Sequence, residues 1–333
     1  MAGKQAVAVL GAGSWGTALA HHLGRAGFPV LLWGRDSDVL QGIASHRENT
    51  RYLPGVSIHP AVQPTFELAE AVRDAAMVVF AVPSTATREL ARSAKDLVPP
   101  QSVVVSTAKG LDAGTLDTMS AVLGSELGGE QRIVALSGPS FALEVVQGMP
   151  TAVVIAAKEA SMAKQAADVF HHEYFRVYTS TDLLGVEISG AAKNVIALAA
   201  GVVDGCGMGN NARAALITRG VAEMKRLVEA VGGDRQTASG LSGLGDLLLT
   251  STGDLSRNRR VGLKLGAGEQ LPQIIAEIGQ TAEATRSAAL IAQLGRRHSV
   301  TLPIIDQVEL LLAGNRTVQQ ALTALFAREL RSE

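Results

Sequence analysis

The chain predicts an α/β fold, with a Rossmann-like N-terminal domain on a mostly parallel sheet and an all-α C-terminal domain. Three observations carry this expectation. From Lys4 to about Ser180, short β-branched apolar runs alternate with helical stretches, the pattern of a parallel sheet covered on both faces. A glycine-rich segment, Gly11-x-Gly13-x-x-Gly16, directly follows the first of those runs. Beyond about Tyr178 the alternation gives way to helical spacing, punctuated by Gly232-Gly233, Gly266, Gly279 and Gly314. The expected domains are residues 1–184 and 185–333.

The strands are expected at residues 6–10, 30–33, 77–82, 103–106, 133–136 and 153–156, with the first helix over 14–23. With 333 residues, 47% hydrophobic and 18% charged, the chain is long enough for two cores. Thirty Lys plus Arg against 31 Asp plus Glu leave no global field for nucleic acid or an acidic membrane, so any anion must be held by a local cluster. The single cysteine, Cys206, has no internal disulfide partner, and no Cys/His metal spacing occurs. A reducing compartment, the cytoplasm, is the expected location. No basic segment followed by a cleavable apolar stretch marks the N-terminus for secretion. Residues 183–203 form the most apolar stretch, yet Glu187 and Lys193 interrupt it, which predicts a buried helix and no membrane span.

A Gly-x-Gly-x-x-Gly spacing is weak alone in a chain with 35 glycines. Its context strengthens it, because the glycines end a strand and open an apolar helix. The first glycine permits a tight turn, the second lets backbone approach a pyrophosphate, and the third lets helix pack on strand. The helix N-terminus then faces the phosphates. The pairs Gly205/Gly207 and Gly243/Gly245 lack a preceding strand and read as turns.

Trp33-Gly34-Arg35-Asp36 stands where a ribose-reading side chain belongs. Arg35 suits a 2′-phosphate, and Asp36 is able to accept from a 2′-hydroxyl. The cofactor is therefore NADP or NAD, with NADPH favoured; the alternative for Arg35 is a solvated surface charge.

Two further segments follow strands at the edge where α/β sheets bind ligands. Thr107-Ala108-Lys109-Gly110 offers a cation, with a solvated loop lysine as the alternative. Ser137-Gly138-Pro139-Ser140 opens a helix, with Ser140 as a candidate N-cap. In the helical half, Gly190-Ala191-Ala192-Lys193-Asn194 places a lysine and an asparagine inside an apolar helix. Burying Lys193 without a partner is costly, so it either acts as an acid/base group or snorkels to solvent. Ser256-Arg257-Asn258-Arg259-Arg260, after Gly243-Leu244-Gly245-Asp246, reads either as a phosphate cradle at a helix start or as a solvated helix face. The histidines, including His171 and His172, show no metal-ligand spacing, so no metal is expected; His171 and His172 read as a surface turn.

Taken together, GAGSWGTALA at Gly11, LWGRD at Leu32, STAKGL at Ser106, LSGPSFALE at Leu136, GAAKNVIALAAG at Gly190, ARAALITRG at Ala212, LSGLGDLLLT at Leu241 and SRNRRVG at Ser256 resemble the bacterial type of NAD(P)-dependent glycerol-3-phosphate dehydrogenase. The motifs run in order along essentially the whole chain. The resemblance implies a helical domain of the 6-phosphogluconate dehydrogenase C-terminal-like type, with the active site between the domains. It implies reversible reduction of dihydroxyacetone phosphate to sn-glycerol 3-phosphate, feeding glycerophospholipid synthesis.

By the same resemblance, Lys193 is the proton donor and acceptor at the C2 oxygen, and Lys109 and Asp246 complete the catalytic set. Gly138, Ser140, Lys193, Asn194, Asp246, Ser256, Arg257 and Asn258, with Lys109, are implied at the substrate. Gly11, Gly13, Ser14, Trp15, Gly16, Arg35, Lys109, Ala142, Arg257, Thr281 and Glu283 are implied at the cofactor. Where the family often has Val-Val-Glu-Gly, this chain reads Thr281-Ala282-Glu283-Ala284, so Thr281 departs from the pattern and Glu283 keeps it.

Two other readings compete. A sister enzyme acting on β-hydroxy acids or phosphogluconate would also pair a Rossmann domain with a lysine-asparagine helix, but it need not place Ser256-Arg257-Asn258 opposite that lysine. A sensor that binds NADPH without turnover would have no use for a proton donor such as Lys193. The expected partners are small molecules, and the sequence leaves monomer and homodimer both open.

Overall fold

The computed structural model describes residues 4–129, 132–279 and 282–326. The chain divides into two compact units, Met1–Asp112 with Asp117–Leu183, and Ala113–Leu116 with Leu184–Glu333.

In the first unit the chain opens with β1 (Ala6–Leu10), α1 (Ser14–Arg25), β2 (Val30–Trp33) and α2 (Ser37–His46). A small hairpin follows, β3 (Glu48–Asn49) and β4 (Leu53–Ser57), and then β5 (Val62–Thr65), α3 (Leu68–Val72), β6 (Ala75–Phe80) and α4 (Ser84–Ala94). The unit is completed by β7 (Val103–Ser106), α5 (Met119–Leu127), β8 (Ile133–Ser137), α6 (Ala142–Val146), β9 (Thr151–Ala157), α7 (Ala160–Phe170) and β10 (Phe175–Ser180).

The main sheet has eight strands in the order β10-β9-β8-β7-β6-β1-β2-β5. Every neighbouring pair is parallel except β8 and β9. The antiparallel step arises where the connection carries only the short α6 and the chain turns back beside β8. Strand residues alternate between two cores. Val7, Val9, Val79 and Val105 pack on one face, while Ala8, Leu10, Val78, Phe80 and Val104 pack on the other. This double burial is the physical reason the strands read as continuous apolar runs. The strand order reverses at β1, between β2 and β6, and such a switch point opens a crevice at the C-terminal strand ends.

Four strands escape the sequence reading: β4, β5, β10 and the two-residue β3. Pro54 and Pro64 argue against β4 and β5, yet both lie outside the sheet interior, where a missing N–H is tolerated. β10 is the opposite edge, with an exposed outer face that breaks the apolar run. β6 also ends earlier than expected, because Ala81 N turns to bond Leu10 O and Pro83 precedes α4.

The second unit is helical. It contains α8 (Leu183–Gly205), α9 (Gly209–Ala230), α10 (Asp246–Thr252), α11 (Arg257–Gly266), α12 (Leu271–Ile278), α13 (Ala284–Arg297), α14 (Pro303–Leu312) and α15 (Val318–Phe326). The helix α8 is long and apolar enough to cross a membrane, but its most apolar window lies wholly inside the protein. Close backbone approach explains its composition. A Cβ on Gly201 would lie 2.2 Å from Arg259 O, and one on Gly262 would lie 2.0 Å from Leu198 O. Only glycines let α8 and α11 pack this tightly, and that packing decides which side chains meet.

Candidate active site

The glycine loop after β1 is shaped by contact. Gly11 has φ +124°, and a Cβ there would lie 2.5 Å from Ala81 O, against the end of β6. A Cβ on Gly16 would lie 1.8 Å from Gly11 O, so the third glycine is required by the turn itself. Gly13 differs, since a Cβ there would meet nothing within 4 Å. The space above it is open, and Gly13 caps α1 without a side chain, which leaves the first N–H groups of the helix directed outward. An open cradle at a helix N-terminus, beside the switch point, fits the pyrophosphate of a dinucleotide.

Ser14 Oγ donates to Tyr52 O at 3.0 Å, and Trp15 packs against the core. Arg35 is exposed just past β2. Asp36 serves as the N-cap of α2, accepting from Asp38 N and Val39 N and pairing with Arg51. The expectation that Asp36 takes a ribose hydroxyl therefore meets a carboxylate already committed on both oxygens.

At the ends of β7 and β8, Lys109 Nζ donates to Gly138 O at 3.3 Å, and Ser140 Oγ donates to the same oxygen at 3.1 Å. Gly138 has φ +131°, with the backbone of β9 3.0 Å from where its Cβ would be. The structure corrects the capping assignment of Ser140: α6 begins at Ala142 with Phe141 as N-cap, because the Ser140 hydroxyl turns back to Gly138. Ala142 is the first residue of that helix.

In the second unit, Lys193 and Asp246 form a buried pair, Nζ to Oδ1 2.9 Å, with side chains 5% and 3% exposed. Lys193 Nζ also donates to Thr250 Oγ1 at 2.7 Å, and that hydroxyl contacts Asp246 Oδ1 at 3.2 Å. Lys193 is thus buried with partners, and does not snorkel. A π-helical turn, Leu241–Gly245, delivers Asp246 to the start of α10. Within it, a Cβ on Gly243 would lie 2.2 Å from Ala238 O. A carboxylate in the first turn of a helix is also favoured by the helix dipole. Sequence reading missed Thr250; its signal is the i, i+4 spacing from Asp246, which puts both on one helix face.

Asn194, the next residue on α8, accepts at Oδ1 from Asn258 Nδ2 at 2.9 Å, and its own amide lies 3.4 Å from Glu283 Oε2. Asn258 Oδ1 in turn accepts from Ala284 N at 3.1 Å. The carbonyl of Asn258 is therefore spent on scaffold, while an amide nitrogen has two hydrogens and only one is used toward Asn194. Ser256 is the N-cap of α11, accepting from Arg259 N, as the helix-start reading expected.

The arginines of this segment divide by role. Arg259 is committed to Asp204, which also takes Arg213, and to Asp254. Arg257 stands exposed at the first position of α11. Desolvation by surrounding protein lowers its pKa from the ordinary guanidinium value, and the nearby Glu283 carboxylate opposes that shift. It remains a cation at any working pH. Glu283 thus sits with Asn194 and Arg257, and Thr281 lies outside the described residues. Among the described residues, no group of three or more His, Cys, Asp and Glu is placed to hold a metal. His171 and His172 lie in the turn between α7 and β10.

Comparison with known proteins agrees over the full length. Residues 6–163 match the model of the NAD-dependent glycerol-3-phosphate dehydrogenase N-terminus, and residues 182–323 match that of its C-terminus. A protein of Stenotrophomonas maltophilia (strain K279a) named glycerol-3-phosphate dehydrogenase [NAD(P)+] is 46% identical over 98% of this chain and 96% of its own length. One of the same name from Nitratidesulfovibrio vulgaris (strain DP4) is 47% identical over 98% and 99%. The crystal structure of glycerol-3-phosphate dehydrogenase from Coxiella burnetii superposes with a TM-score of 0.93 at 38% identity, covering 98% of this chain and 99% of that one.

Proposed function

The chain belongs to the NAD-dependent glycerol-3-phosphate dehydrogenase family, and from that premise we propose that it interconverts dihydroxyacetone phosphate and sn-glycerol 3-phosphate with NADPH or NADH. A nicotinamide cofactor held at the Gly11–Gly16 loop would supply the hydride for C2 in reduction and take it back in oxidation. The residues of this chain supply the rest. Lys193 delivers a proton to the C2 oxygen on reduction and recovers it on oxidation. An ammonium has three N–H directions; two point to Asp246 and Thr250, and these set the third. Asp246, paired with Lys193 at 2.9 Å, compensates the buried ammonium charge.

Ser256, Arg257 and the remaining Asn258 N–H hold the phosphate at the α11 N-terminus, where helix dipole and guanidinium act together. Lys109, with Gly138 and Ser140, meets the polar end of the substrate. Gly11, Gly13, Ser14, Trp15, Gly16, Arg35 and Ala142 bind the cofactor, with Lys109, Arg257 and Glu283. The observation that carries the reading is the Asn194–Asn258 hydrogen bond of 2.9 Å, which ties the helix of the proton donor to the helix of the phosphate cradle. We place the enzyme in the cytoplasm, where its product supplies the phosphorylated glycerol on which acyl chains are built.

The test compares kcat/KM for dihydroxyacetone phosphate and dihydroxyacetone at saturating NADPH, in wild type and Arg257→Ala. The phosphorylated ketone should be preferred by roughly a thousandfold, since each 1.4 kcal/mol of phosphate contact gives about tenfold and remote binding energy positions the carbonyl. Arg257→Ala should remove most of that preference. Equal losses on both ketones, or faster turnover of 2-ketopantoate or 6-phosphogluconate by wild type, would overturn the assignment.

A further inference from the structure

The turn between β3 and β4 is stitched to the glycine loop. Asn49, fully buried, donates to Ala12 O at 3.0 Å and to Thr17 Oγ1 at 2.8 Å, and its own Oδ1 accepts from Tyr52 N at 3.1 Å. Ser14 Oγ adds a second stitch, to Tyr52 O at 3.0 Å. A short hairpin far along the chain is thereby held rigidly beside the Gly11–Gly16 segment. The same turn presents Arg51, whose guanidinium lies over the Tyr52 ring at 5.4 Å and pairs with Asp36 Oδ2. Asp36 follows Arg35 directly, so the fold brings Arg51 to the residue next to Arg35.

Asp36 is the acidic residue of the Trp33–Asp36 segment, but its chemistry is spent. Oδ1 accepts from Asp38 N and Val39 N, and Oδ2 accepts from Arg51. Arg35 and Arg51 stand here with the carboxylates of Asp36 and Asp38, and Asp36 is the one tied to Arg51. A guanidinium has five N–H groups, so one bond to Asp36 leaves others to offer, and an exposed ion pair rearranges at little cost. Arg51 is 63% exposed. A dianion arriving here meets a cation that is anchored yet accessible.

We propose that Arg51 is a second reader of the adenosine 2′-phosphate, beside Arg35, and that Asp36 holds Arg51 in place and does not act as the ribose acceptor. The inference rests on the cofactor reading above. It accounts for an acidic residue three positions past the strand end in a chain read as favouring NADPH.

Titration calorimetry on the full chain tests it without turnover, using NADPH, NADH, 2′,5′-ADP and 5′-AMP. Arg51→Ala should weaken NADPH and 2′,5′-ADP about tenfold, as for a lost hydrogen bond to a charged group, and leave NADH and 5′-AMP within about twofold. Intact NADH binding in the same variant shows that the turn is still folded. Arg51→Lys, which keeps charge but not the fork, should fall between. In Asp36→Asn, which preserves an N-cap but loses the ion pair that holds Arg51, 2′,5′-ADP should weaken by no more than in Arg51→Ala, with 5′-AMP unchanged. Equal losses for both cofactors in Arg51→Ala, no loss at all, or a selective loss of 5′-AMP and NADH in Asp36→Asn would overturn the proposal. A chain inert toward dihydroxyacetone phosphate that still shows Arg51-dependent 2′,5′-ADP binding would sink the dehydrogenase reading alone.

Discussion

Lys193 Nζ lies 2.9 Å from Asp246 Oδ1, and both side chains are almost completely excluded from solvent. Removing one partner of such a pair strands the other charge and costs about 3–5 kcal/mol, whereas replacing both by apolar groups of similar size is often neutral. Lys193→Met and Asp246→Leu should each lower the melting temperature strongly, and the double variant should melt above either single. Both variants lacking Lys193 should lose about a hundredfold or more in kcat. Additive losses of stability would show that the two groups are not coupled; an unchanged kcat would remove Lys193 from the chemistry.

Gly13 and Gly16 should fail in different ways. A Cβ on Gly16 collides with Gly11 O, while one on Gly13 points into open space. Gly16→Ala is therefore expected to destabilise the first unit. Gly13→Ala should melt like wild type yet bind NADPH and NADH at least about tenfold more weakly, because its methyl occupies the path of the pyrophosphate. Calorimetric melting together with cofactor titration separates the two outcomes.

Burial pushes the Glu223 carboxyl up to about 7, although it accepts from Ile304 N and Ile305 N at the start of α14 and Arg226 acts in the opposite sense. The folded chain then holds this proton more tightly than the unfolded chain, whose carboxyl titrates near 4.5. The contribution to stability is complete below about pH 4.5 and is lost as pH rises toward about 7, with a total on the order of 3 kcal/mol. Relative to Glu223→Gln, wild type should lose stability between pH 5 and pH 7.5, as followed by melting temperature. A constant difference across that range would refute the assignment.

His21 and His22 in α1 have the opposite sign. Burial, reinforced by Arg25, pulls both to about 4, against 6.5 when unfolded. Their contribution is present above about pH 6.5 and is lost as pH falls toward 4. Acidification should thus weaken the first unit through α1. His22→Gln, which keeps a donor for Phe170 O, should flatten part of the acid limb. The check is the melting temperature of that variant against wild type from pH 7 to pH 4.5.

Much of this was legible in the chain itself. The burial of Val7, Ala8, Val9 and Leu10 on alternate faces is encoded as an unbroken apolar run, and Gly11 and Gly16 announce their turn because few other residues fit it. Ser256 likewise announces a helix start. These are local properties, set by backbone sterics and by the period of apolar residues.

What the tertiary structure decided concerns partners distant in sequence. That Lys193 meets Asp246 and Thr250, that Asn258 is half spent on Asn194 and Ala284, and that Arg259 belongs to Asp204 all follow from the packing in the second unit, where glycines bring α8 and α11 together. Residue type names a possible donor or acceptor, but not which group will answer it. Asp36 shows the difference most plainly. In the sequence it is an acid in the ribose position, and in the fold it is a helix cap bound to Arg51, because a hairpin pinned by Asn49 carries that arginine to it. The chain determines the cofactor loop and the chemical types at the site; only the fold assigns each polar atom its partner, since a buried hydrogen bond depends on distances that local sequence does not contain.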